Sequence, residues 1–242
     1  MEEIAITIPG TVGEIPIRLR LSKSSKTILF IAHGMGGSLE SSLPRFLALD
    51  DQMMVNTIRF TTSRYPSDQR VTDYASMQDV FRDKVYEQEL EDVRRVIVHV
   101  LKNSEKIFQA SPSSLNIFLL GTSMGGISAA TLSGEFPVKG VLIVNSGAWF
   151  RGAEHLPRLI EGFPNIDRVK NILGKLNAPV VVFRGERDPI VTRDAAQALA
   201  AMAKNGTFIE VTGLAHSMTD PQSMPEAREK MLSQIRTFIR EP

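Results

Sequence analysis

The sequence predicts an α/β domain, a mostly parallel sheet with helices on both faces, and three observations lead there. Short continuous apolar runs recur at Ile28 to Ala32, Ile117 to Leu120, Val141 to Val144 and Val180 to Phe183. Runs apolar at every position are what strands buried on both faces look like, and parallel sheets bury both faces. Between them lie segments of helical period, so strand and helix alternate along the chain. The third observation is an edge hairpin at the start. Ile4, Ile6 and Ile8 alternate with Ala5 and Thr7, Pro9-Gly10 punctuates, and Ile17, Leu19 and Leu21 alternate with Arg18 and Arg20.

The remaining elements follow in order. The stretch from Thr61 to Ser76 is polar, carries Pro66 and shows no period, so it reads as a surface loop. Leu90, Val93, Val96, Ile97, Val100 and Leu101 fall at helix spacing, with Glu91 and Arg95 one turn apart. The acids Glu91-Asp92 then belong to the polar face of that helix. Thr192 to Met202 is an Ala-rich helix stopped at Asn205-Gly206. Ser223 and Glu226 fit a capping box opening a last helix that buries Met231, Ile235 and Phe238.

Composition bounds the rest. The 242 residues are 43% hydrophobic and 23% charged, which suits one domain over 1–242 with a substantial core. Lys plus Arg is 28 against 27 for Asp plus Glu, a formal net charge of +1, so neither nucleic acid nor an anionic membrane is an expected partner. The chain has no cysteine, which excludes disulfides, thiolate metal sites and a cysteine nucleophile together. No basic-then-apolar leader opens the sequence and no apolar run is long enough to span a bilayer, so a cytoplasmic protein is expected. No paired-histidine spacing or carboxylate cluster calls for a metal, and no cofactor is expected.

Chemistry concentrates at Gly121-Thr122-Ser123-Met124-Gly125, between the apolar strand ending at Leu120 and a helix running through Gly126-Ile127-Ser128. The two glycines remove Cβ atoms that would collide where a strand reverses sharply into a helix, and Ser123 is left exposed on the turn. A serine hydroxyl needs a base beside it. Of the four histidines, His99 lies in the helix pattern, His155 in a loop-like stretch, and His33 just after a strand. His216 follows the strand-like Phe208 to Val211 and precedes the last helix, at the sheet edge where open α/β sheets hold their ligands. It is the candidate base. Asp188, with Pro189 behind it, follows the strand Val180 to Phe183 and is the candidate acid that orients the imidazole. Glu186 is its rival in the same loop.

On these residues, in the order Ser123, Asp188, His216, the chain resembles the α/β-hydrolase superfamily over nearly its whole length. Within that superfamily it is most similar to small serine esterases and monoglyceride-lipase-like carboxylesterases. Ala32-His33-Gly34-Met35-Gly36-Gly37-Ser38 stands where that family carries its oxyanion loop. The resemblance implies eight strands with the second antiparallel. It also implies an oxyanion hole from the backbone N–H groups of Met35 and Met124, with His33 shaping the loop by hydrogen bonding. The stretch from about 146 to 178 would be a short lid insertion, with one helix over Asn165 to Gly174. One departure stands out. Where many relatives carry Asp-x-x-Gly after the fourth strand, this chain reads Thr57 to Tyr65 without it.

The expected activity is hydrolysis of small or medium carboxylic esters through an acyl-enzyme on Ser123, the partner being a small-molecule ester. Gly34, Trp149 and Met218 are candidate substrate contacts, with Met35 and Met124 adding adaptable apolar surface. The same machinery would serve a thioesterase, or an amidase or aminopeptidase that used Glu154, Glu161 or Asp167 to hold an amine. A non-catalytic ligand-binding protein on the same fold is the alternative of another class.

Overall fold

The computed structural model describes residues 2–22, 25–63, 79, 81–82, 84–151, 161–163 and 165–241. Its strands are β1 (Glu2–Pro9), β2 (Glu14–Leu21), β3 (Thr27–Ala32), β4 (Asn56–Phe60), β5 (Asn116–Thr122), β6 (Val138–Val144), β7 (Val180–Gly185) and β8 (Gly206–Val211). They form one sheet in the order β1-β2-β4-β3-β5-β6-β7-β8. The edge hairpin is present, with Ile6 opposite Ile17, and β2 runs antiparallel to both neighbours while the rest are parallel.

The continuous apolar runs occupy the middle of the sheet and feed two cores. Ile28, Phe30, Ile117, Leu119, Val141, Ile143, Val180 and Val182 point to one face, and Leu29, Ile31, Phe118, Leu120, Leu142, Val144, Val181 and Phe183 to the other. The first face is covered by α2 (Tyr86–Lys102), α4 (Met124–Leu132), α5 (Ile166–Leu173) and α6 (Arg193–Ala201), the second by α1 (Ser42–Leu49) and α7 (Pro225–Arg240). A short α3 (Ser104–Phe108) extends α2. The helix α4 is buried all round, which its Gly125-Gly126 and Ser128-Ala129-Ala130 allow because small residues bring it close to the strands. Among the described residues, no helix is long and apolar enough to cross a membrane.

Three local expectations are corrected. Thr61, Thr62 and Ser63 are buried rather than on a surface loop, because each hydrogen-bonds into the body of the protein; residues 64–76 of that stretch lie outside the described set. Asp92 is fully buried, not on the polar face, since α2 turns Glu89 and Asp92 inward against those same residues. No capping box opens the last helix. It starts at Pro225, whose missing N–H costs nothing in a first turn, and Ser223 is engaged elsewhere.

Within the stretch 146–178 expected to hold the short lid insertion, residues 152–160 and 164 lie outside the described set. The predicted helix exists as α5, capped by Asn165 accepting from the Arg168 N–H at 3.0 Å, but Val169 and Leu173 are fully buried in the first core. Its apolar stripe packs beside α4. Leu173→Ala should therefore cost about 2–5 kcal/mol in urea unfolding, as for a core leucine. A loss below about 0.5 kcal/mol, typical of surface positions, would show that α5 is not part of the core.

Candidate active site

Register brings the candidate residues to one edge. Ala32 pairs with Gly121, Thr122 with Val144, Val144 with Phe183, and Gly185 with Val211, so five parallel strands end at one level. The chain passes from β3 outward to β4 and returns to β5 on β3's other side, which makes the gap between β3 and β5 a topological switch point. The loop after β3 begins at His33, and the turn after β5 is Ser123.

The backbone at Ser123 has φ 53° and ψ −121°, a region that costs a non-glycine residue about 1–3 kcal/mol. Its N–H donates to the Val144 carbonyl at 2.9 Å, and its own carbonyl accepts from the Gly126 N–H at 2.9 Å, so both sides of the turn are fastened. A Cβ on Gly121 would overlap the Gly125 carbonyl, and one on Gly125 would overlap the carbonyls of Ala32 and His33. Glycine is required at both. The result is a serine at the N-terminus of α4, next to the Met124 N–H, a first-turn donor with no partner inside its own helix.

The loops after β7 and β8 meet. His216 Nδ1 lies 2.8 Å from Asp188 Oδ2, and Asp188 Oδ1 accepts from the N–H groups of Ile190 at 2.8 Å and Val191 at 3.0 Å. A carboxylate only accepts, so Nδ1 carries a proton, and in the neutral imidazole the lone pair then lies on Nε2. Arg184, buried on β7, clasps this loop by donating to the carbonyls of Val191 at 2.7 Å and Asp188 at 3.2 Å. Glu186, the rival acid, turns away and accepts from the Gly213 N–H at 2.9 Å.

Two braces of this site escaped the sequence reading. Asn145, buried at φ 49° directly after β6, accepts from the Gly185 N–H at 2.7 Å and donates to the carbonyls of Ala215 at 3.0 Å and His216 at 2.7 Å. It ties the acid's strand to the base's loop. Ser223 accepts from the Ala215 N–H at 3.0 Å and donates to the Ser217 carbonyl at 2.7 Å, gripping the loop on either side of His216. An asparagine straight after a buried apolar strand was the available signal for the first.

A small cleft of about 70 Å³ is lined by Gly34, Met35, Ser123 and His216, together with Ser42, Ser217 and Thr219. The Ser42 and Ser217 hydroxyl oxygens are 3.1 Å apart and those of Ser217 and Thr219 3.0 Å, so hydroxyl groups form part of the described wall. Gly34 approaches Ser123 so closely that a Cβ there would lie 3.0 Å from the serine Cβ. The expected contacts Trp149 and Met218 are not among the residues that line this cleft. Met218 is buried in the second core, and Trp149 is 47% exposed elsewhere. The Met124 side chain is likewise spent in the first core, leaving only its backbone N–H beside Ser123. His99 lies within α2, and His155 lies outside the described residues.

A strand that turns into a helix through a strained serine is the architecture of the α/β-hydrolase class. The chain belongs to the α/β-hydrolase family, whose alpha/beta hydrolase domain model matches residues 25–241. Similar solved structures include an esterase of Pyrobaculum calidifontis, 19% identical over 98% of this chain and 84% of that one, with a TM-score of 0.69. A serine hydrolase without a lid from Xanthomonas campestris is 15% identical over 99% and 92%, TM-score 0.63. An alpha-beta serine hydrolase homologue from Coxiella burnetii is 18% identical over 98% and 95%, TM-score 0.60. At such identities the likeness is one of fold. No curated protein matches the chain in sequence.

Asn145→Ala should lower unfolding stability by about 1–3 kcal/mol, because it strands buried backbone groups on both loops. A change within about 0.5 kcal/mol in denaturant titrations would mean that water replaces it. A second expectation concerns His33, whose pKa lies below the usual 6.5, chiefly through burial, with Glu89 and Asp92 opposing and Lys84 assisting. The unfolded chain then binds the extra proton first. Its contribution is complete above about pH 6.5 and declines as pH falls toward the depressed value. Unfolding free energy followed from pH 8 to 5 should fall more steeply in the wild type than in His33→Asn.

Proposed function

We propose that the chain is a cytoplasmic serine hydrolase, a single domain with light cover, that cleaves carboxylic esters of small or medium acyl chains through an acyl-enzyme on Ser123. The observation that carries this is the 2.8 Å pairing of His216 Nδ1 with the buried Asp188 carboxylate, in a loop that shares its cleft with Ser123. In this reading Nε2 of His216 takes the Ser123 proton as Oγ attacks the ester carbonyl, and Asp188 stabilises the imidazolium. The N–H groups of Met35 and Met124 receive the developing oxyanion, each contributing about 3 kcal/mol. The alcohol leaves with the proton from His216, and a water activated by the same imidazole then releases the acid. The modest volume favours short acyl groups over long alkyl chains.

Two features weigh against the alternatives. The described residues that line the cleft include no acidic side chain to hold an aminopeptidase's substrate amine, and Glu154 lies outside the described residues. A pure binding protein would have no use for a strained nucleophile beside an oriented imidazole.

A fluorophosphonate probe should label the wild type, and Ser123→Ala should abolish labelling and cut ester turnover by at least about a thousandfold. Labelling that survives this substitution removes the assignment. Across a panel of p-nitrophenyl esters, acyl thioesters and aminoacyl anilides, acetate and butyrate esters should turn over fastest. Preference for thioesters or anilides would move the chain to those classes, and tight ligand binding without turnover would favour the receptor.

A further inference from the structure

Behind the loop that holds Met35 lies a cluster of buried charge that the reaction above does not use. Lys84 has no exposed side-chain surface, and its Nζ reaches Glu89 Oε2 at 2.6 Å and Asp92 Oδ2 at 3.1 Å. It also donates to the Ser63 carbonyl at 2.8 Å. Asp92 accepts from the N–H groups of Thr11 at 2.7 Å and Ser63 at 2.9 Å, and from the Ser63 hydroxyl. Glu89 Oε1 accepts from the Thr62 hydroxyl at 2.6 Å. Burying three ions is expensive, and apolar replacements of buried ion clusters are often neutral or stabilising, so stability is a weak reason to keep them. What the cluster does accomplish is geometric. It fastens Thr62 and Ser63.

We infer that Thr62 and Glu89 are positioning residues for the Met35 N–H, acting through His33. The Thr62 N–H donates to His33 Nε2 at 3.1 Å, and His33 Nδ1 lies 2.8 Å from the Gly34 carbonyl oxygen. A backbone N–H can only donate and a carbonyl can only accept. Together they hold His33 as the neutral tautomer with its proton on Nδ1. The Gly34 carbonyl also accepts from the Gly37 N–H at 2.9 Å, so two donors fix one peptide plane. In a trans peptide the carbonyl of Gly34 and the N–H of Met35 belong to that same plane and point oppositely. Holding the carbonyl against His33 therefore aims the Met35 N–H, in a loop whose Gly34 abuts Ser123.

Thr62 has one hydroxyl hydrogen, and Glu89 takes it. That leaves the hydroxyl unable to donate to Nε2, 3.3 Å away, and anchors the residue whose N–H closes Nε2 to a proton. The chain of constraint runs from Lys84 and Glu89 through Thr62 and His33 to the peptide that would meet the oxyanion. This role rests on the ester-hydrolase reading, because the Met35 N–H matters only if an oxyanion forms at Ser123.

The test uses p-nitrophenyl acetate and the full chain, with folding checked by urea midpoint. Glu89→Met and Thr62→Val remove the anchoring hydrogen bond and should lower kcat by about 10- to 100-fold with KM within about twofold, part of the loss expected for deleting an oxyanion donor. Glu89→Gln keeps an acceptor for Thr62 and Thr62→Ser keeps the hydroxyl, so both should retain kcat within about threefold of wild type, a rescue that a general packing defect would not show. The proposal is overturned if the Met and Val variants keep wild-type kcat, if KM carries the loss, or if the Gln and Ser variants fall as far. Should these variants not fold, nitrogen NMR of the wild type decides instead. His33 must appear at neutral pH with its proton on Nδ1, and a proton on Nε2 refutes the chain of constraint. A wild type with that tautomer but no turnover and no labelled Ser123 would refute the hydrolase reading instead.

Discussion

Each feature of the cleft is placed relative to the turn at Ser123, where a strand becomes a helix within a few residues. That turn holds a non-glycine residue at φ 53°, and it persists because its neighbours leave no alternative. Gly121 and Gly125 are pressed against other backbone, the Ser123 N–H is held by Val144, and α4 is buried on every side. The strain is small beside the packing that enforces it. Because α4 cannot shift, the Met124 N–H and the serine hydroxyl are delivered together. Whatever closes the site must come to them.

What comes to them does so on loops, and the structure invests heavily in fixing those loops. The acid loop is clasped by Arg184 and by Asp188's own carboxylate, the base loop by Asn145 and Ser223, and the loop after β3 by His33. Each brace is a buried polar side chain satisfied wholly or in part by backbone groups of the loop it holds. Such groups are costly if left unpaired, so they tolerate only one arrangement, whereas apolar contacts would allow several. The two core faces of the sheet provide the stability. The polar braces provide the geometry.

A division of labour follows within α2. Its apolar stripe packs on the sheet, as its period foretold, yet its first two turns also present Glu89 and Asp92 to Thr62 and Ser63. Read as charges on a helix, these two belong to solvent. In place they are buried beside Lys84, and their ion pairs with it, together with hydrogen bonds from Thr11, Thr62 and Ser63, make that burial tolerable.

Local pattern, by itself, determined the fold class, the edge hairpin, the helices at 90–101 and 192–202, the serine turn, and the loops that carry the candidate acids and histidine. Each of those depends on neighbours in sequence: the period of apolar residues, or glycines framing a turn. Which acid faces His216 was settled only in three dimensions, since Glu186 and Asp188 share a loop and differ in which partner their carboxylates reach. The same is true of Met218 and Trp149, one drawn into a core and the other left outside the cleft. Asn145 acts on residues tens of positions away, and Thr62, Glu89 and Lys84 meet only because the segment after β4 lies against the start of α2. Long-range hydrogen bonds leave no period in a sequence. The fold class was therefore legible from the chain, while the tertiary structure alone decided how the serine turn is completed into a site.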